Sequence, residues 1–170
     1  MALTAYQITI PTLLRALRNL RHVLQLGEKH ARDANIAPDA LLQSRLIEDM
    51  LPLVRNVQIA TDTAKNGVAR LAAVEALKFA DDETSFGQLY ARIDRAIDYI
   101  GGFTPARFEG SDARTIALPT SSRGEVKFEN DAAYLSEFLL PNFFFHCTTC
   151  YAILRKAGVP LGKKDYLWPQ

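Results

Sequence analysis

The sequence predicts an all-α fold, an antiparallel four-helix bundle with a small β-hairpin inserted between the third and fourth helices. Three observations predict it. Four long segments carry apolar residues spaced by three and four, the signature of a helix with one buried face. One short region alternates polar with apolar residues instead, as half-buried strands do. A chain of 170 residues with 48% hydrophobic side chains is also large enough to close one core without disulfide or metal staples.

The first helix is expected over residues 3–32, with Ile10, Leu13, Leu17, Leu20 and Leu24 as its stripe. Arg15, Arg18, His22 and Gln25 face elsewhere, and Pro11 sits near the helix start or kinks it. Pro38 and Asp39 open a short helical turn over residues 39–43. The second long helix reads Met50, Val54, Val57, Thr61, Ala64, Val68 and Leu71, in alternating steps of four and three that suit a bundle seam. Pro52 fits its first turn, where the missing amide costs nothing. Ala60, Thr61 and Ala64 either allow close helix approach or leave room for a pocket.

Ser85 and Gln88 have capping-box spacing and open the third helix. Its stripe is Phe86, Leu89, Ile93, Ala96 and Ile100, ended by Gly101 and Gly102. Residues 114–118 and 125–128 form the two strands, joined by the turn-like run PTSSRG. The fourth helix starts at Asn130 or Asp131, is bent or interrupted by Pro141, and continues to Ala157. Leu139, Phe143, His146, Cys150, Ile153 and Ala157 face inward, and Gly158 and Pro160 stop it. The expected connectivity is up-and-down, with one long crossover that carries the hairpin. Neither a repeat nor a linker interrupts residues 1–170, so a single domain is expected.

Composition narrows the function classes. The formal net charge is +1, with no basic run of the kind that binds nucleic acid. No stretch approaches the roughly 18 uninterrupted apolar residues of a membrane span. The N-terminus lacks the basic, apolar and small-residue regions of a signal peptide. Cys147 and Cys150 lie on one face of a helix, a poor geometry for a stabilising disulfide. A cytoplasmic protein is the expectation.

The candidate chemistry centres on the fourth helix. His146 and Cys150 are separated by four residues, the spacing by which two side chains reach one ion. The further groups that face them are Gln58 and Asp62 on the second long helix. One His, one Cys, one Asp and a Gln make a thin ligand set, so no metal and no cofactor is expected. Asp62 could instead orient His146 and raise its pKa, making a general base over a pocket floored by Ala60 and Ala64. Equally, Gln58 could satisfy a neutral imidazole, and Asp62 could pair with Lys65 at the surface. Cys147 and Cys150 are formally C-x-x-C, but they lie inside a helix with no preceding strand and no following His, which argues against redox or haem chemistry. His22 belongs to a polar face, and His30 sits at a helix C-terminus where a cation favours the dipole. The tail from Gly162 to Trp168 either caps the bundle or extends onto a partner.

The runs PNFFFHCTTCYAILRKAGVPLGKKDYL, DMLPLVRNVQIATDTAKNGVARLA and DDETSFGQLYARID together resemble an uncharacterised bacterial family of unknown function, similar to the DinB/YfiT-like four-helix bundles. The resemblance covers nearly the whole chain. It implies an antiparallel bundle, often a homodimer, and in many members a divalent metal held by three histidines, one on the second helix and two in an H-x-x-x-H pair on the fourth. It also implies kinship with thiol-dependent transferases and isomerases. His146 matches the first histidine of that pair, Cys150 stands at the second, and the second helix has no histidine between Asp49 and Ala72. The expected function is therefore small-molecule binding in a central pocket near His146, with Cys150, Gln58 and Asp62 around it. The alternative is a non-enzymatic homodimeric interaction module with a closed core. A homodimer is expected in either case, because Tyr6, Phe108, Tyr134 and Phe144 look too many for one bundle's inner faces.

Overall fold

The structure, a computed structural model, describes residues 3–120 and 124–168. It is predominantly helical, with one small antiparallel hairpin. The helices are α1 (Ala5–Asp33), α2 (Pro38–Leu42), α3 (Leu53–Leu71), α4 (Phe86–Gly101), α5 (Asp131–Tyr134), α6 (Leu140–Lys156) and α7 (Lys163–Leu167), and the strands are β1 (Ile116–Thr120) and β2 (Gly124–Phe128). A 3₁₀ turn at Pro105–Phe108 follows α4, and a π-helical turn at Leu135–Leu139 joins α5 to α6.

The helix starts follow their predicted chemistry. Thr4 and Gln7 make a reciprocal capping box at α1, and Ser85 and Gln88 make one at α4. Pro52 is the residue before α3 rather than part of its first turn, so Met50 lies outside the helix. Three helices end in the same double hydrogen bond, in which the second residue past the cap donates to the carbonyl five residues back and the first to the carbonyl three back. That closure needs a positive φ at one residue. Gly158 supplies it after α6, Asn35 after α1, and Ala73 after α3. The alanine is the outlier, since its Cβ crowds the following carbonyl.

Residue pairs give the helix directions. Asn142 meets Thr63, His146 meets Asn56, and Leu139 fills the space beside Gly67, so α3 and α6 are antiparallel. Tyr90 meets Glu28 and Asp94 meets Arg21, so α1 and α4 are antiparallel too. The connection 72–85 behaves differently. Its Asp81 and Glu83 reach Arg55 and Gln58 near the start of α3, and Arg92 of α4 meets Thr61 and Asp62 farther along. The chain therefore runs back beside α3 before α4 begins, and α3 and α4 are parallel. Here the expected connectivity is corrected: the four long helices run up, down, down and up, the one long crossover lies between α3 and α4, and the hairpin sits instead on the connection between the antiparallel α4 and α6.

The fourth helical segment bends where Pro141 removes an amide donor and crowds the carbonyl one turn earlier. A wider π turn over the five residues Leu135–Leu139 takes up that misfit. In the hairpin, Ile116 pairs with Phe128 and Leu118 with Val126. Strand β1 begins later than predicted because Arg114 turns away to donate to the Leu71 carbonyl at the end of α3. The strands run on through Pro119, Thr120 and Gly124, while residues 121–123 at the middle of the expected PTSSRG turn lie outside the described residues.

One cluster of buried apolar side chains includes the apolar residues of the predicted stripes of all four long helices, except Met50, which lies before α3 and outside it, and Ala157, which packs against it partly buried. It also takes in the aromatics that sequence assigned to an interface. Phe108 and Tyr134 are buried, Tyr6 packs edge-on to Phe108 at 5.4 Å, and Tyr134 packs on Phe128 at 5.3 Å. The hairpin and the 3₁₀ turn provide the extra inner surface, so these residues give no reason for a dimer. Substituting Ala73→Gly should remove the left-handed crowding at the end of α3 and raise stability by about 0.5–1 kcal/mol. Chemical denaturation midpoints of the two proteins measure it, and an equal or lower midpoint in the variant would refute the strain.

Candidate functional site

His146 lies one third of the way along α6, between Phe143 and Cys150 of the buried stripe, and is 8% exposed. Its Nδ1 is 2.9 Å from Oδ1 of Asn56, which is 2% exposed. Asn56 sits in the first turn of α3, where its Nδ2 donates to the carbonyls of Leu51 and Pro52, each at 2.9 Å. Those bonds tie the side chain to the segment before the helix and hold it rigid. The second ring nitrogen, Nε2, has no hydrogen-bond partner among the described residues. It also does not join the enclosed unsatisfied atoms, of which Thr9 Oγ1 is the one found among the described residues. Nε2 is therefore not fully enclosed.

Burial lowers the His146 pKa below its usual value, because desolvation disfavours the imidazolium. The raised case, in which Asp62 reaches the ring, is not the one the structure adopts. Asp62 Oδ1 instead accepts from Arg92 Nη2 at 2.9 Å and pairs with Lys65 Nζ at 3.1 Å. Gln58 does not serve the imidazole either. Its side chain accepts from Arg55 at 2.5 Å and donates to Glu83 at 2.7 Å.

Both residues belong to a second polar constellation centred on Arg92. This guanidinium is only 1% exposed and uses all three nitrogens. Nε donates to Thr61 Oγ1 at 2.7 Å, Nη1 to the Ala80 carbonyl at 2.7 Å and Glu83 Oε1 at 2.9 Å, and Nη2 to Asp62. Asp81 approaches Nη2 at 3.0 Å. The Asp81 pKa is lowered: burial alone would raise it, but the hydrogen bond and charge of Arg55 and the charge of Arg92 outweigh that. The ring of Phe79 is flanked by the cationic ends of Lys65, Arg92 and Arg95 at 4.5–5.0 Å. Thr61 and its neighbours Ala60 and Ala64 are fully buried, so the small residues serve close packing and the Arg92 contact rather than an open central pocket.

Cys147 and Cys150 are both buried, free thiols, and burial raises the pKa of each, so they stay protonated. Among the described residues, no three His, Cys, Asp or Glu side chains converge as metal ligands would. On α6, next along the helix from His146 but not lined by it, is an apolar groove of about 410 Å³, bounded by Leu46, Met50, Phe144, Phe145, Thr148, Thr149 and Ala152. The Phe145 ring meets the imidazole edge-on at 5.1 Å. The tail folds back, with Asn19 donating to the carbonyls of Tyr166 and Leu167, so α7 packs against the middle of this chain's own α1.

Sequence reasoning did not single out Asn56, Arg92 and Glu83. Arg92 sits beside Leu89, Ile93 and Ala96 on the edge of the α4 stripe, and a charge at that position needs buried partners. That was the available signal. For Asn56 the signal was a short amide side chain just after Pro52, where helix-start carbonyls and amides seek side-chain partners.

With fold and site described, the relatives can be placed. The family model for a domain of unknown function, DUF1993, matches residues 5–167. The chain belongs to this family. The DUF1993 chain is also similar to a solved structure, a DinB family member protein from Shewanella denitrificans, with 38% identity and a TM-score of 0.87. That match covers 95% of this chain and 90% of the other. No curated protein matches. The DinB-like resemblance drawn from the three runs is thereby established, and no helix among the described residues is long and apolar enough to cross a membrane.

The direction of the His146 shift fixes a pH effect. A histidine with a lowered folded pKa binds its proton more readily when unfolded. Its contribution is fully present above the unfolded value of about 6.5 and is lost as pH falls through that value toward the folded one. The melting temperature of the wild type should therefore drop more between about pH 8 and about pH 5.5 than that of His146→Gln, which keeps a donor for Asn56. Parallel pH curves would show that His146 titrates alike in both states.

Proposed function

We propose that this DUF1993 protein binds a small molecule at the unpartnered edge of His146, next to the apolar groove on α6, rather than in a central pocket. The observation that supports the reading is the unpartnered, incompletely enclosed Nε2 of an otherwise buried and anchored imidazole. Buried polar edges are normally satisfied, and one left open next to an apolar groove is the pattern of a ligand site. Of the expected ligand residues, His146 remains the contact. Cys150 packs beneath it, and Gln58 and Asp62 are assigned to the Arg92 constellation. The reading takes the four long helices as one four-helix-bundle domain over residues 1–170, in a reducing cytoplasm that suits two free buried thiols.

One further observation favours the interaction-module alternative. Ile47, Phe145 and Leu51 are 60%, 55% and 44% exposed; Phe145 lines the groove, and Ile47 and Leu51 are the chain neighbours of its Leu46 and Met50. A homodimer would cover them, and a one-chain mass by light scattering at micromolar concentration removes that reading. The ligand reading is tested by an NMR-observed fragment screen of the full chain. Fragments should shift His146, Phe145 and Thr149 together and lose affinity in His146→Ala. Hits confined to other surfaces, or unaffected by His146→Ala, would reject it.

A further inference from the structure

The hydrogen bonds around Asn56 decide where the proton of His146 sits. Asn56 Nδ2 faces two carbonyl oxygens, those of Leu51 and Pro52, each at 2.9 Å. Turning the amide over would set its own oxygen against both, so the orientation is forced. Oδ1, which has no proton, is then the atom 2.9 Å from His146 Nδ1. Two acceptors cannot share a hydrogen bond, and Nδ1 must therefore be the donor. In the neutral ring the other nitrogen, Nε2, is left with a lone pair. Free histidine prefers the opposite tautomer, so this arrangement is imposed by the fold.

The surroundings restrict what that lone pair can accept. The link to the groove on α6 is Phe145, whose ring meets the imidazole edge-on and also lines that groove. No charged side chain is among the groove's lining residues, and Leu46, Met50, Phe144 and Phe145 offer it to an apolar body. An anion would meet a lone pair and no compensating cation there. A metal ion would find one nitrogen, with no cluster of further ligands among the described residues. The segment carrying Leu46 and Met50 runs directly into Leu51 and Pro52, whose carbonyls fix Asn56, so groove and imidazole share one support.

We infer that Asn56 is a positioning residue that holds His146 in its Nδ1–H tautomer, and that the site takes a neutral molecule with an apolar body and one hydroxyl or N–H that donates to Nε2. The inference rests on the ligand site proposed above and names its chemistry.

Long-range nitrogen–proton NMR on the full chain reports the tautomer, and titration with p-cresol, its methyl ether and benzoate reports the ligand class. The wild type should show the Nδ1–H form, and p-cresol alone should shift the Nε2 signal. In Asn56→Leu the ring should move toward the Nε2–H form, and p-cresol affinity should fall about tenfold or more, the effect of one lost hydrogen bond. If that variant fails to fold, the wild-type tautomer and the three-compound comparison decide. A wild-type ring in the Nε2–H form overturns the role of Asn56. An equal Nε2 shift from the ether or from benzoate overturns the ligand class while leaving His146 as a binding site. No shift from any of the three, with the Nδ1–H form intact, removes the ligand class and the binding site together.

Discussion

The arrangement of this chain depends on a buried guanidinium. Because α3 and α4 run parallel, the connection between them must travel back along the length of α3 before the next helix can begin. Fourteen residues, 72–85, cover that distance without regular structure of their own. Such a segment exposes backbone groups that need partners and loses much conformational freedom when ordered. Arg92 supplies the fixed point. It takes the Ala80 carbonyl and Glu83 from the crossover, Thr61 and Asp62 from α3, and is itself carried by α4. A fork with fixed donor directions can join three elements in one plane, which a lysine cannot. Around it, Arg55, Lys65 and Arg92 pair with Asp62, Asp81 and Glu83, while Arg95 stacks on the Phe79 ring.

The pairing also determines what the cluster does not do. Each of the paired groups is committed to another, and the desolvation cost of Arg92 is met only while all its partners remain. This is a structural use of charge, specifying how the crossover docks. His146 on the opposite flank of α3 is the contrasting case. Asn56 holds one ring nitrogen firmly, and the other has no hydrogen-bond partner among the described residues and is not fully enclosed. A residue fixed on one side and open on the other can act on something that arrives. The two polar devices thus divide the faces of α3: one locks the chain to itself, and the other leaves an edge available.

Helix identity was legible in the sequence because packing in each long segment obeys one period. The stripes Leu13–Leu17–Leu24 and Leu89–Ile93–Ala96 are buried where spacing placed them, whereas the caps made by Thr4, Asn130 and Asp165 were not anticipated. Direction was not legible. Periodicity tells which face is inside but not whether the next helix runs up or down, and only the charges of the crossover disclose that. The site was half legible for the same reason. His146 stood out as an imidazole on a greasy helix, yet its partner was chosen between Asp62 and Gln58 by chemistry alone. Asp62 lies closer to a guanidinium that burial makes far more demanding, so the carboxylate goes to Arg92 and the amide of Asn56 goes to the ring. Interface residues were misjudged because Phe108 and Tyr134 found a second inner surface under the hairpin, whose contribution a short alternating segment does not announce.

The most direct test of the central claim, that Arg92 pins the returning crossover to α3 and α4, is a double-mutant cycle between Arg92→Met and Glu83→Gln, read by chemical denaturation. If the guanidinium joins the crossover to the helices, the two substitutions are strongly non-additive, with a coupling of about 1.5 kcal/mol or more. Effects that add to within about 0.5 kcal/mol would contradict the account, because they would mean that Glu83 and Arg92 stabilise the fold independently.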